Sequence, residues 1–320
     1  MPTANASLSS WLLAARPKTL TASLAPVMVG TGVAAAFSEA PIRWWLAPVA
    51  LLSATCIQVG TNLVNDAADF RKGADTAERL GPVRVTQSGL LRGRDVMRAA
   101  AVCFVVAALL GIPLVLAGGV PILLIGLLSL GGGYAYTAGP FPLAYNGLGE
   151  VFVMLFFGLA AVKGMAYVLT GQGLWPWAEI GALQVGLQSA TLLAVNNFRD
   201  IDGDRRAGKH TLAARFGPRF ARAEIAVLVA LPCAAGALWL AAGLTWAALL
   251  PCLTLPLAIR LARSVWLEPP GRRFNVFLAW SALLQLLFAL LLTAGLLVDA
   301  PSRSRVLNSQ FSILNSSSAP

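Results

Sequence analysis

An all-α, polytopic membrane bundle is the fold this sequence predicts, and three observations predict it. Hydrophobic residues fill 57% of the 320 positions and charged residues only 12%, with a mean hydropathy of +0.72, far from the balance of a soluble domain. The apolar residues are gathered into stretches of about 20, the length a helix needs to cross a hydrocarbon core. A short acidic motif occurs twice, each time at the end of such a stretch: Asn65, Asp69 and Gly73 of the first copy fall on Asp200, Asp204 and Gly208 of the second, and Gly81-Pro82 and Gly217-Pro218 follow. That is an internal repeat.

Nine spans are expected, over 20 to 37, 43 to 64, 97 to 116, 119 to 138, 148 to 170, 176 to 196, 220 to 242, 244 to 264 and 275 to 298. The formal charge of +10 would suit a nucleic-acid binder, but the placement of the cations argues otherwise. Arg16 and Lys18 precede the first span; Arg71, Lys72, Arg79, Arg84, Arg92, Arg94 and Arg98 follow the second; Arg199, Arg205, Arg206, Lys209, Arg215, Arg219 and Arg222 follow the sixth; Arg260, Arg263, Arg272 and Arg273 surround the turn after the eighth. With nine spans these share one side, which the positive-inside rule makes cytoplasmic, together with the N-terminus and both motifs. The expected site is a bacterial inner membrane.

The first 19 residues lack a continuous apolar core ending in a cleavage signal, and read instead as an interfacial helix with Trp11, Leu12 and Leu13 toward lipid. Cys56, Cys103, Cys233 and Cys252 lie inside spans and read as small packing residues. A Gly-Gly turn without charge joins spans three and four, and Gly131, Gly132 and Gly133 allow close helix approach. Tyr134, Tyr136 and Tyr145 stand either at a cavity rim or in an interfacial belt. Residues 1–300 are expected to form one domain, with motif loops at 65–96 and 197–219, and 301–320 a low-complexity, disordered tail.

Gln58, Asn62, Asn65, Asp66 and Asp69 recur at intervals of three and four, a stripe on one helix face, and Gln184, Gln188, Asn196, Asp200 and Asp204 do so at multiples of four. Polar stripes at membrane depth face a cavity and not lipid. Three chemistries compete. A calcium loop fails, because Gly203 precedes Asp204 and Thr211 stands where the twelfth-position Glu belongs. An ion-coupled transporter would place its acids near the midplane on discontinuous helices, whereas these lie at cytoplasmic helix ends. The third is Mg²⁺, which bridges a few carboxylates to substrate phosphate, with Arg71, Lys72, Arg205 and Lys209 adding charge-assisted bonds to a diphosphate. An anionic head on a long apolar tail would suit such a site, which points to a polyprenyl diphosphate. GKHT at 208–211 lacks the rest of a P-loop, and His210 reads as a surface residue.

The segments RPKTL at 16–20, QVGTNLVNDAADFRKGAD at 58–75, RLGPVRVTQSG at 79–89, YTAGPFPLAYNGLGE at 136–150 and NNFRDIDGDRRAGKHTLAARFG at 196–217 together resemble the UbiA superfamily of intramembrane aromatic prenyltransferases, most of all the members that act on 1,4-dihydroxy-2-naphthoate. The resemblance implies nine transmembrane helices and Mg²⁺-dependent transfer of a polyprenyl group from its diphosphate to that acceptor, with loss of carbon dioxide, giving demethylmenaquinone. 4-Hydroxybenzoate and homogentisate are the alternative acceptors. It implies that Asn62, Asn65, Asp66, Asp69, Asp200 and Asp204 hold Mg²⁺ against the diphosphate, that Arg16 or Arg84 pairs with the acceptor carboxylate, and that Tyr136 borders the allylic cation. Lys163, inside the fifth span, departs from the apolar residue expected there.

Overall fold

Apolar stretches of 17 to 43 residues, broken by Gly, Pro and charged turns, fold into helices packed side by side. The computed structural model describes residues 7–74 and 79–316, so the expected acid Asp75 lies outside the described residues. The helices are α1 (Leu8–Ala15), α2 (Thr21–Phe37), α3 (Leu46–Arg71), α4 (Gly93–Ala135), α5 (Gly149–Thr170), α6 (Trp177–Arg199), the short α7 (Ile201–Arg206) and α8 (Leu212–Phe216), α9 (Pro218–Ala241), α10 (Thr245–Leu267) and α11 (Phe274–Ser316). No strand occurs among the described residues.

Seven of these helices, against the nine spans expected, are long and apolar enough to cross a membrane. The difference has two sources. With 17 residues, α2 falls short of the length needed, and α4 counts once although it doubles back. Gly119 interrupts α4 at φ 63°, ψ −150°. Phe104 and a Cβ placed on Gly133 would be 3.7 Å apart, two positions that a straight helix would hold roughly 43 Å apart at 1.5 Å per residue. The expected Gly-Gly turn is therefore a hairpin.

The bundle has two polar ends. At one, the backbone of His210 bonds to Tyr145, Tyr145 bonds to Asp69, and Asn275 Nδ2 donates to Leu80 O, which gathers the loops after α3, α4, α6 and α10. At the other, Arg43 donates from its backbone to Leu169 and from its side chain to Ala117, while Gln172 meets Ser38 and Glu39. Lys163 is satisfied by an ion pair of 2.6 Å with Glu179, which ties α5 to α6. Most enclosed is α6, with 72% of its apolar window buried, and least enclosed is the α4 hairpin, with 11%, so α6 is the central post and α4 presents its leucines and valines outward. Around α6, Phe37, Trp177 and Trp239 stack with ring centroids 4.6 to 6.2 Å apart.

Two side-chain expectations change. Trp11 packs against the cluster of Ala14, Leu63 and Ala67 instead of facing outward, whereas Leu12 and Leu13 are exposed as expected. Gln184 accepts from Trp239 Nε1 and donates to Pro232 O in the core. A stripe with a period of four drifts about 40° at each step on a helix of 3.6 residues per turn, so over the 16 residues to Asp200 it has turned roughly 160° away. The last helix, α11, is helical to Ser316, and residues 317–320 lie outside the described residues.

Candidate active site

The first motif lies on the last two turns of α3, which runs on to Arg71, well beyond the apolar stretch. Its stripe divides. Asp66 turns to the following loop, accepting from the backbone N–H of Thr86 at 2.9 Å and of Val85 at 3.2 Å. Asp69 turns to the cavity: Oδ1 accepts from Tyr145 Oη at 2.9 Å, and Oδ2 meets Arg84 at 3.2 Å and Lys209 Nζ at 3.1 Å. Asn65 accepts from Thr137 Oγ1, and Asn62 donates to Ala15 O at 3.0 Å and Thr19 Oγ1 at 3.1 Å, anchoring the chain around Arg16.

The second motif straddles the end of α6. Arg199, only 1% exposed, grips Asp200 through Nε at 2.8 Å and NH2 at 2.6 Å, and also bonds to Asn196 and Asn275. Arg79, from the loop after the first motif, stands 3.9 Å from Asp200. Asp204 follows on α7, where Thr211 Oγ1 lies 3.4 Å from its Oδ2 and its carbonyl accepts from the Lys209 backbone at 2.8 Å. Lys209 thus bridges the motifs, its backbone on the second and its ammonium on the first. Burial raises the Asp204 carboxyl to about 7; Asp200 and Asp69 push it the same way, while Lys209 and Arg79 pull it down. Lys72, seated 4.3 Å over the Tyr145 ring and bonded to Thr137 O, is lowered by burial and by Lys209, and raised by Asp69.

A cavity of about 270 Å³ opens between the motifs and runs inward to Phe156, Phe157 and Leu192. Of the residues singled out in the sequence, Asn62, Asn65, Asp69, Asp200, Asp204, Lys209, Arg16, Arg84 and Tyr136 line it. Asp66, Arg71, Lys72 and Arg205 do not. Asp66 serves the loop, Arg71 is exposed, Lys72 reaches Tyr145 from outside, and Arg205 Nε donates to Ala214 O. His210 is exposed, and Tyr134 is 48% exposed. Sequence reasoning gave no particular role to Arg79, Arg199, Asn197 or Glu150, all at or beside the site. The adjacency of Arg199 to Asp200, and an acid at the very start of the fifth apolar stretch, were the available signals.

The donor set suits Mg²⁺. Three carboxylates and an amide oxygen, all hard ligands, converge on one cavity from two helix ends. Asp204 is held near neutrality by burial beside two other acids, a state that a divalent cation reverses. Among the described residues no three His, Cys, Asp or Glu side chains stand close enough to complete a metal site by themselves. Mg²⁺ asks for less, since it keeps several waters and takes one or two carboxylates plus substrate phosphate.

Residues 23–284 match the UbiA prenyltransferase family. The chain is 36% identical over 300 residues, 91% of its own length and 98% of the relative's, to a 1,4-dihydroxy-2-naphthoate octaprenyltransferase of Mycobacterium tuberculosis. It is 37% identical over 233 residues, 69% of this chain and 72% of the relative, to the protein of that name from Escherichia coli. Among solved structures, the fold is similar to an apo UbiA homologue from Aeropyrum pernix, with TM-score 0.67 and 22% identity over 89% of this chain and 98% of that one. A UbiA homologue from Archaeoglobus fulgidus bound to GPP and Mg²⁺ gives TM-score 0.60 at 18% identity, covering 90% and 99%.

Proposed function

The chain belongs to the UbiA prenyltransferase family, and from that premise we propose that it transfers a polyprenyl group from its diphosphate to 1,4-dihydroxy-2-naphthoate, releasing diphosphate and carbon dioxide and yielding demethylmenaquinone. It is a multi-span membrane protein; we place it in a bacterial inner membrane with the N-terminus and both motifs on the cytoplasmic side. The observation that carries the reading is the meeting of the two acidic motifs across one cavity whose inner part is apolar. A diphosphate head fits the polar mouth, and a hydrocarbon tail fits among the helices. A transporter needs no such match to an amphiphile.

Asn65, Asp69, Asp200 and Asp204 would hold Mg²⁺, which when bound neutralises charge on the departing diphosphate. Lys209 and Arg79 lie between the motifs and supply donors to phosphate oxygens. Asp66 fixes the loop that carries Arg84, and Arg199 holds Asp200 in place. The rings of Tyr136, Phe152 and Phe156 pack in series along the cavity wall, with centroids 5.4 and 4.3 Å apart; electron-rich faces of this kind suit an allylic cation, and their bulk excludes water from it. Membranes containing the protein, given a polyprenyl diphosphate, Mg²⁺ and dihydroxynaphthoate, should release carbon dioxide and form prenylated product. Product with 4-hydroxybenzoate or homogentisate and none with dihydroxynaphthoate would reassign the acceptor.

A further inference from the structure

One carboxylate in the cavity takes no part in gripping the diphosphate. Glu150, in the first turn of α5, is 8% exposed and lines the cavity. Its Oε1 accepts from Asn197 Nδ2 at 2.8 Å, and its Oε2 is buried without a hydrogen-bond partner. Asn197 lies three residues before Asp200 on α6, which puts the pair roughly 5 Å, one helical turn, inward of the acid layer. With a diphosphate at the polar mouth, its allylic carbon would lie on this inward side of the acids. Tyr136 is adjacent, its Oη 3.3 Å from a Cβ placed on Gly149.

Packing does not account for this residue. Asp69 and Asp200 each have Arg or Lys partners; among the described residues Glu150 has none, and an uncompensated carboxylate at membrane depth is costly. Glutamine would keep the bond to Asn197 and carry no charge. A cavity-lining acid with one oxygen held by a neighbour and the other without a hydrogen-bond partner has the two properties a proton acceptor needs, a fixed orientation and an unused lone pair.

We propose that Glu150 is the catalytic base for the acceptor; this rests on the prenyl-transfer reading above. The ring hydroxyl next to the carboxylate-bearing carbon is its target. A ring π pair forms the new carbon–carbon bond as the allylic carbon–oxygen bond breaks and its pair leaves with diphosphate. An oxygen lone pair closes a C=O bond, and the hydroxyl proton passes to Glu150. The alkylated carbon now carries a carboxylate β to a ketone: the bond to that carboxylate breaks, carbon dioxide leaves, the released pair restores the ring double bond, and Glu150 returns the proton to the oxygen. One carboxylate is exchanged for one prenyl group with no net proton change.

The test is steady-state kinetics in membranes. Glu150→Gln should lower kcat about 100-fold or more, the usual worth of a positioned base, with KM for the polyprenyl diphosphate unchanged. A wild-type kcat, or a loss confined to that KM, would overturn the proposal. Glu150→Asp keeps a carboxylate and carries the test if the amide variant does not accumulate: a reduced kcat at unchanged KM is expected, and an unaltered kcat counts against it. With wild-type protein, the acceptor bearing a methyl ether at that hydroxyl should compete with the true acceptor but form no product; normal turnover of the ether also overturns the base. Failure of wild-type protein to prenylate dihydroxynaphthoate itself would refute the functional reading instead, so the two failures are distinct.

Discussion

Asp66 and Asp69 lie three positions apart on α3, and their carboxylates meet different partners: two backbone N–H groups for one, a tyrosine and two cations at the cavity for the other. Asp66→Ala should therefore cost stability, about 2–3 kcal/mol for two buried donors left unpaired, read from the denaturation midpoint in detergent. Asp69→Asn keeps the side chain's shape but leaves Arg84 and Lys209 without their carboxylate, so the midpoint should fall as well, while turnover drops by orders of magnitude; a variant with near-normal turnover would remove Asp69 from the proposed Mg²⁺ site. The spacing of the motif announced a polar stripe, but both acids satisfy it equally, and the choice between them is made by where the following loop returns. Asp204 gives a test by pH. Its folded-state value, about 7, lies above the ordinary 3.8, so the folded protein keeps a proton the unfolded chain gives up. The stabilisation from this group is complete below the ordinary value and is lost as pH rises through about 7. Without Mg²⁺, melting temperature should fall over that window, Asp204→Asn should flatten the fall, and Mg²⁺ with diphosphate should restore stability near neutrality. Equal slopes for wild type and variant would contradict it.

At the level of helices, local signals did best where covalent geometry dictates the outcome. The Gly118-Gly119 step in an uncharged apolar run could be read as a turn, and Gly119 indeed adopts φ 63°, ψ −150°, a region closed to residues with a Cβ. A Cβ there would meet nothing within 4 Å, so Gly119→Ala isolates backbone strain. It should destabilise the protein by about 1–3 kcal/mol, measured by thermal unfolding in detergent, and an unchanged midpoint would mean that the hairpin is not held at this residue. Where α5 crosses α6, space decides instead: a Cβ on Gly158 would fall 2.7 Å from Ala182 O. Nothing in a single apolar stretch reveals its crossing partner. For the same reason Lys163 looked anomalous in sequence, since its partner Glu179 lies across a turn on the next helix. On α6 the four-residue repeat drifts around the helix, and the drift carries Gln184 to Trp239 and Pro232 in the core, away from the acids.

Across the whole molecule, the repeat was legible and its consequence was not. Two copies of a motif at two helix ends say nothing of whether they face each other; Lys209 on Asp69 and Arg79 beside Asp200 close that gap. The fold places the loops that carry both motifs at one end and the turn around Glu39 at the other, joined to Gln172. The proposed orientation follows from charge, because nearly all cations fall at the motif end, with Arg43, Lys163, Arg303 and Arg305 elsewhere in the sequence. Asp202, with a side chain 73% exposed on α7, and Glu39, also exposed, mark the two ends without touching the cavity. In intact cells a membrane-impermeant maleimide should label Glu39→Cys and spare Asp202→Cys; permeabilised cells should label both, and unsubstituted protein, whose four cysteines lie within the helical spans, should give the background. The reverse pattern would invert the orientation. Labelling of both in intact cells would break the claim that they lie on opposite sides of one membrane, and with it the topology on which a cytoplasmic supply of diphosphate substrate depends.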